Sequence, residues 1–138
     1  MTAEDFVNAG RGWLGVPWRH LGRTRAGVDC IGLVLAAAAK VGMQIADPAP
    51  YAREPQGAAL LRGVLTHGVR VPEARPGDVL VFRMGLYGGH VAIATRHRAY
   101  GCPGVLHAYA PHRHVVEQPM EPEFQRALLA VIRLPMEA

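Results

Sequence analysis

One apolar stretch in the first half of the chain constrains the fold more than any other feature of the sequence. It opens at Asp29-Cys30, continues through the alanines Ala36–Ala39 and ends at Gly42. A helix that is apolar nearly all round must be covered on every side, so the stretch predicts a central, buried helix. Its longest apolar run, Ile31–Val41, is well short of the roughly 20 residues that cross a bilayer. We therefore expect neither a membrane span nor a membrane anchor.

Two shorter helices and several loops are predicted around this stretch. Thr2 and Asp5 form a partial capping box, and the helix that they start should end at Gly15. The run Ala58–Leu65 predicts another short helix. Segments rich in glycine, proline or basic residues predict loops at residues 22–28, 47–55 and 95–104.

The second half of the chain has the pattern of an antiparallel sheet. Short runs rich in valine, isoleucine and leucine alternate there with loops that contain glycine, proline or histidine. The order of helices first and strands second indicates an α+β fold. The absence of a linker or an internal repeat indicates a single domain over residues 1–138. The predicted strands are Val79–Phe82, Val91–Ala94, Val105–Ala108, Val115–Glu117 and Leu128–Leu134.

Charge and composition exclude several classes of function. Fifteen basic and eleven acidic residues give a net charge of +4, with seven histidines in addition. The basic residues are scattered and not interleaved with aromatic ones, so we expect no nucleic-acid partner, whereas acidic cell-wall polymers are compatible partners. Two cysteines do not form a disulfide framework. Because Glu4 and Asp5 occupy positions where a secretion signal needs basic residues, we expect synthesis in the cytoplasm without a signal peptide.

Cys30 is the first candidate for chemistry. It follows Asp29 at the predicted start of the buried helix, where backbone N–H groups favour negative charge. A thiolate is stabilised at such a place, so we expect the pKa of Cys30 to fall below its ordinary value. The alternative is a small buried core cysteine, which is the more common role of a lone cysteine.

Two histidines complete a possible site for nucleophilic catalysis. His90 follows two glycines at the first residue of an apolar strand, where it could act as a general base. His107 lies in the next strand, and antiparallel neighbours would bring it within reach of His90, where it could fix the tautomer of that ring. The alternatives are a solvated edge-strand histidine for His90 and a hydrogen-bonded core histidine for His107.

Other polar residues have less specific interpretations. His112-Arg113-His114 predicts an exposed turn rather than half of a metal site, because no second cluster has ligand spacing, so we expect no metal and no cofactor. Cys102 lies at a loop tip and is expected to be a free thiol. Arg23 and Arg25 could recognise a carboxylate of a substrate, or could lie in a solvated loop.

Five motifs, in this order, resemble those of the NlpC family of papain-like cysteine peptidases, which cut bacterial cell-wall peptides. The resemblance extends from about Ala9 to the end of the chain. The Asp-Cys-x-Gly-Leu-Val box followed by Gly-His-Val-x-Ile is fairly specific, whereas either motif alone would be weak. The motifs are Gly15–His20, Gly27–Val34, Gly77–Phe82, Gly89–Ile93 and Leu106–Ala108.

The resemblance implies a role for each matching position. Cys30 would be the nucleophile, His90 the base, and His107 the polar residue that orients His90. Asp29 would help to bind the free amino group of a peptidoglycan stem peptide, cut between the γ-carboxyl of D-glutamate and a diamino acid. The implied fold is a papain-like one, in which the cysteine-bearing helix packs on a five- or six-stranded antiparallel sheet.

Departures from the family pattern concern the substrate pocket. Trp18 stands where the family usually has a tyrosine, so it could line the pocket or belong to the core. Ile31 replaces a frequent serine after the nucleophile, which removes a hydroxyl group. The run Pro17–His20 is most similar to the branch encoded with phage or gene-transfer-particle tails. That similarity implies a hydrolase carried by a tail tip or baseplate to the periplasm or cell wall, or alternatively a structural tail component with little intrinsic activity.

Overall fold

Four α-helices and eight strands make up the part of the chain that the computed structural model describes, residues 1–52, 57–84 and 88–136. A short 3-10 turn at Ala110–His112 joins two of the strands. In chain order the elements are α1 (Ala3–Arg11), β1 (Arg23–Thr24), β2 (Gly27–Val28), α2 (Cys30–Lys40), α3 (Gly57–Leu65), β3 (Val69–Val71), β4 (Val79–Met84), β5 (Gly88–Arg96), β6 (Pro103–Tyr109), β7 (His114–Pro119), α4 (Pro122–Ala127) and β8 (Leu128–Arg133).

Six strands form one antiparallel sheet in the order β3-β8-β4-β5-β6-β7, and the remaining two, β1 and β2, pair with each other. The predicted α+β fold with a five- or six-stranded antiparallel sheet is therefore confirmed, with six strands. The prediction of a loop over residues 22–28 is wrong, because Arg23 pairs with Val28 and Thr24 with Gly27 in a small hairpin. The predicted loop at 95–104 is shorter than expected, because β5 continues to Arg96 and β6 begins at Pro103.

Helix α1 begins as the sequence predicts and ends earlier. The Thr2 hydroxyl accepts a hydrogen bond from the Asp5 N–H at 3.1 Å, and the Asp5 carboxylate accepts one from the Thr2 N–H at 2.8 Å. The helix ends at Arg11 rather than at Gly15, with Gly12 as its C-cap. Both Nε and Nη2 of Arg11 lie 2.9 Å from the carboxylate of Glu117, which ties the end of α1 to β7.

The helices and the sheet enclose two apolar clusters on opposite faces of the sheet. Helix α2 is the central buried helix that its composition predicts, since Ala37 and Ala38 are fully buried in the larger cluster. On the sheet, this cluster includes Val91 and Ile93 of β5. Alternate residues of the same strand, such as Ala92, belong to the smaller cluster on the other face, which α4 covers.

The sheet opens between β5 and β6. On one side, β5 pairs with β4 from Met84–Gly88 to Val79–Ile93. On the other side, its pairing with β6 runs only from Ile93–Leu106 to Arg96–Pro103. In the described structure, therefore, residues 90–92 of β5 and 107–109 of β6 face each other without ladder pairing, and we call this region the β5–β6 opening.

The first turn of α2 lies very close to the segment before the hairpin. A single carbon atom added there should therefore destabilise the fold. A Cβ atom at residue 32 would lie 2.3 Å from the carbonyl oxygen of Gly22, which is backbone and cannot swing away. We expect Gly32→Ala to lower the free energy of unfolding by roughly 1–3 kcal/mol, the range found for overpacking. Chemical denaturation measures this value.

A matched glycine provides the control. Gly63 lies in α3, and a Cβ atom there would meet nothing within 4 Å. Gly63→Ala should therefore leave stability unchanged or raise it by up to about 1 kcal/mol, because alanine is the better helix former. Equal stability of the two variants would contradict the close approach at residue 32.

Candidate active site

The carboxylate of Asp29 organises the start of α2. Its Oδ1 accepts hydrogen bonds from the Gly32 N–H at 2.8 Å, as the N-cap of the helix, and from Nη1 of Arg23 at 2.9 Å. Its Oδ2 accepts from the Leu21 N–H at 2.9 Å and from the Tyr51 hydroxyl group. With four donors and only 3% of its surface exposed, Asp29 joins the helix, the preceding turn and the loop around Tyr51.

Arg23 completes this cluster, and its guanidinium group is engaged by side chains of the same chain. Besides Asp29, its guanidinium group contacts Asp47 through Nε at 2.9 Å and Nη2 at 3.0 Å. Nη2 also donates to the Tyr51 hydroxyl oxygen at 2.9 Å. Burial and the adjacent Asp29 raise the pKa of Tyr51, so its hydroxyl keeps its proton as a donor. Both oxygen atoms of Asp29 are engaged within the chain. The predicted role of Asp29 in binding a substrate amino group stays a prediction.

The Cys30 sulfur lies at the N-terminus of α2, where backbone N–H groups converge on it. The N–H groups of Cys30 itself, Ile31 and Val91 stabilise a charge on this sulfur. Burial nevertheless dominates, with the Asp29 charge acting in the same direction, and raises the pKa of the thiol to about 12. The expectation of a lowered pKa is therefore wrong, because the helix start that would favour the thiolate is also excluded from water.

A chain of three polar side chains runs across β5, β6 and β7. Nε2 of His90 lies 2.7 Å from Nδ1 of His107, as antiparallel neighbours were expected to permit. Nε2 of His107 lies in turn 2.9 Å from the side-chain oxygen of Gln118. The two rings are almost completely buried, with exposures of 8% for His90 and 0% for His107.

Aromatic and apolar side chains surround the two histidines. The ring of Tyr109 stacks on His107 at 4.7 Å between centroids, and Phe124 meets the same ring edge-on at 5.5 Å. The ring of Phe82 is 6.0 Å from that of His90. Burial lowers the pKa of His107 to about 4, and it lowers the pKa of His90 well below the ordinary value. Both rings are therefore neutral at pH 7.

Cys30 and the two histidines all adjoin the β5–β6 opening. In a regular strand, Val91 and His90 point to opposite faces, and α2 packs on the face of Val91. The Val91 N–H donates toward the Cys30 sulfur, so this sulfur lies against the backbone of the residue that follows His90. A thiol, a neutral imidazole and backbone N–H donors at one opening are the components of acyl transfer through a cysteine.

Trp18 and Arg25 lie outside this chain of contacts. The Trp18 side chain is half-buried against the larger apolar cluster, and the backbone N–H of Trp18 donates to the Arg113 carbonyl oxygen at 2.8 Å. The Arg25 guanidinium group lies 4.0 Å from the centre of the Trp13 ring and donates to the backbone carbonyl oxygen of Gly12. Their predicted roles in substrate binding stay predictions.

Three further findings concern metal ions, membranes and the second cysteine. Among the residues that the structure describes, no group of three or more histidine, cysteine or acidic side chains is placed to hold a metal ion. Over the same residues, no helix has the length and apolar character needed to cross a bilayer. Cys102 is a free thiol, as its position in the sequence indicates.

Gln118, Tyr51 and Asp47 are the site residues that sequence reasoning missed. Gln118 could have been found from the two-residue period of β7, since alternate residues share a face of the sheet. The partner residues of Tyr51 and Asp47 are distant in sequence, and no local pattern in a proline-rich loop predicts them.

Comparison with known proteins gives the family and the fold. Residues 15–133 match the NlpC/P60 family. No protein with a curated description matches the chain in sequence. An NlpC/P60 family protein from Bacillus cereus superposes with a TM-score of 0.70 at 23% identity, over 97% of this chain and 40% of that one. This chain thus spans about two fifths of the length of that protein.

Two other solved structures are matched over nearly their whole length. The NlpC/p60 domain of the peptidoglycan hydrolase SagA gives a TM-score of 0.64 at 20% identity, over 97% of this chain and all of that one. An N-acetylmuramoyl-L-alanine amidase from Bacteroides uniformis gives 0.58 at 14% identity, over 99% of each chain. These likenesses show the shared papain-like fold, and the sequence match covers most of the chain. The chain therefore belongs to the NlpC/P60 family.

Proposed function

We propose that the protein is a cysteine peptidase that hydrolyses peptidoglycan stem peptides, with Cys30 as nucleophile, His90 as base and His107 as the residue that orients His90. The observation that carries the proposal is the buried contact between His90 and His107, 2.7 Å long, beside the helix start that holds Cys30. The peptidoglycan hydrolase SagA and the amidase from Bacteroides uniformis share the fold, which supports cell-wall material as the substrate class.

The mechanism follows from the roles proposed for the His90 ring and the Cys30 thiol. Nδ1 of His90 takes the thiol proton while the sulfur attacks the amide carbonyl carbon, and the π electrons move to the oxygen. The backbone N–H of Cys30 donates to this oxyanion, a contact worth roughly 3 kcal/mol in comparable sites. The carbon–nitrogen bond then breaks, and protonated His90 gives its proton to the leaving amine. Water, deprotonated by His90, cleaves the thioester and releases the acid and the free thiol.

The resting protonation state sets when the proton moves. The raised pKa of Cys30 and the lowered pKa of His90 hold both groups neutral before substrate binds. Proton transfer therefore accompanies the attack and does not precede it as a stored ion pair. The oxyanion, close to the donors at the start of α2, replaces the thiolate as the charge that the site stabilises.

The bond and the route of delivery are the finer parts of the proposal. The resemblance of the Asp-Cys box to the NlpC family motif supports cleavage between the γ-carboxyl of D-glutamate and a diamino acid. The run Pro17–His20, similar to the branch encoded with phage-type tails, supports delivery to the cell wall by a tail tip or baseplate. The proteins of such a tail would then be its partners. The alternative is a structural tail component with little activity of its own.

Digestion of purified diaminopimelate-type peptidoglycan tests the proposal. We expect the wild type to release peptides that end at D-glutamate and Cys30→Ala to release none, because the thioester cannot form without the sulfur. Mass spectrometry of the soluble fragments identifies the bond, and cleavage after N-acetylmuramic acid would reveal an amidase instead. Cys102→Ser, which removes the other free thiol, is the matched control and should behave as the wild type.

Two outcomes would contradict the enzymatic proposal. Equal release by the wild type and Cys30→Ala would mean that another protein in the preparation cuts the wall. No release by a folded wild type would favour the structural tail component. Circular dichroism of each variant shows whether the fold is retained.

The pH dependence of alkylation tests the resting state. In a Cys102→Ser background, the rate of Cys30 alkylation by iodoacetamide should rise about tenfold per pH unit from about pH 6 to about pH 9, because only the thiolate reacts. No plateau is expected in that range, since burial raises the pKa of the thiol to about 12. A plateau near neutral pH would instead show a thiolate–imidazolium pair present before substrate binds.

A further inference from the structure

We propose that Gln118 is a positioning residue that sets the direction of the hydrogen bonds through His107 to His90, so that the unprotonated nitrogen of His90 is the one free to act as base. This inference rests on the proposed role of His90. Gln118 lies outside the predicted catalytic group, and the proton positions that it sets can be measured without any substrate.

The register of β6 with β7 brings Gln118 to the histidines. His107 lies opposite Val116, and Val105 lies opposite Gln118, so these four side chains share one face of the sheet. Gln118 is half-buried there, with its side-chain oxygen 2.9 Å from Nε2 of His107. A carbonyl oxygen only accepts hydrogen bonds, so the proton of the neutral His107 ring is on Nε2.

The position of one proton then determines the next. With its proton on Nε2, neutral His107 has a lone pair at Nδ1, which can only accept. At 2.7 Å from that atom, Nε2 of His90 is the donor and carries the single proton of its own neutral ring. Nδ1 of His90 is left with a lone pair. A general base for the Cys30 thiol needs this arrangement.

The contact between the two histidines does not itself choose this direction. If Gln118 presented its NH₂ group, Nε2 of His107 would accept, Nδ1 would carry the proton, and Nε2 of His90 would accept in turn. His90 would then carry its proton on Nδ1. That nitrogen would have no lone pair with which to take the proton of the Cys30 thiol. The orientation of one amide therefore separates a competent base from a blocked one, and it does so from outside the reacting atoms.

Three substitutions at residue 118 distinguish the two directions. Gln118→Glu keeps an acceptor of the same length, Gln118→Met keeps the length and removes the strong acceptor, and Gln118→Lys offers donors only. Nitrogen-15 chemical shifts of histidine rings, from long-range proton–nitrogen spectra of histidine-labelled protein at neutral pH, report the tautomer of each ring directly. Signals are assigned with the variants His90→Gln and His107→Gln.

The variants are expected to differ in which ring nitrogen carries the proton. The wild type and Gln118→Glu should show both rings protonated at Nε2, and Gln118→Lys should show both protonated at Nδ1. Gln118→Met should give a mixture of the two. With peptidoglycan as substrate, kcat should change little in Gln118→Glu and fall at least about a hundredfold in Gln118→Lys, with KM nearly unchanged, because a wrong tautomer removes the base without altering binding.

A surface glutamine provides the control, and several outcomes would overturn the inference. Gln125 is exposed on α4, and Gln125→Lys should leave tautomers and kcat as in the wild type. Wild-type protein with His90 protonated at Nδ1, or a Gln118→Lys variant with wild-type tautomers, would refute the role of Gln118. Because the spectra need no substrate, a wild type that fails to cut peptidoglycan would refute the proposed function alone.

Discussion

The carboxylate of Asp29 is the interaction on which the rest of the site depends. It caps α2, so it fixes where the helix begins and hence where Cys30 and its backbone N–H are directed. It also draws in Arg23 and, through the Tyr51 hydroxyl, the loop that follows α2. A buried carboxylate with fewer donors would be costly, so the four contacts and the geometry of the helix start depend on one another.

The site also depends on an irregularity of the sheet. Regular pairing of β5 with β6 along their whole length would engage the backbone of residues 90–92 and leave no place for a sulfur atom. The pairing instead ends at Ile93–Leu106, and the Val91 N–H is directed at Cys30. Beyond that point, the contact between the His90 and His107 side chains joins β5 to β6 without backbone pairing. Strands β6 and β7 stay paired by their backbones, and Gln118 adds a side-chain contact between them.

Local patterns were sufficient to predict the parts of the molecule that depend on local physics. The cap at Thr2, the buried helix that begins at Cys30, and the nearness of His90 to His107 follow from composition and period. The cap at Asp29 was not predicted. The hairpin at residues 23–28, β3 and α4 were not predicted, because strands of two or three residues have no period and α4 buries little beyond Phe124. The side-chain partners Tyr51 and Asp47 depend on tertiary contacts, which a single sequence does not specify. The pKa of Cys30 was misjudged for the same reason, since burial is a property of the whole fold.

The neutral state of the Cys30 thiol has a consequence for its reaction with oxidants. Peroxides and other oxidants attack thiolates, and successive oxidation of a cysteine sulfur ends in irreversible acids. Burial raises the pKa of Cys30 and keeps its sulfur protonated, so this thiol is a poor target for such damage. The enclosure that raises the pKa of Cys30 thus also protects its sulfur from oxidants.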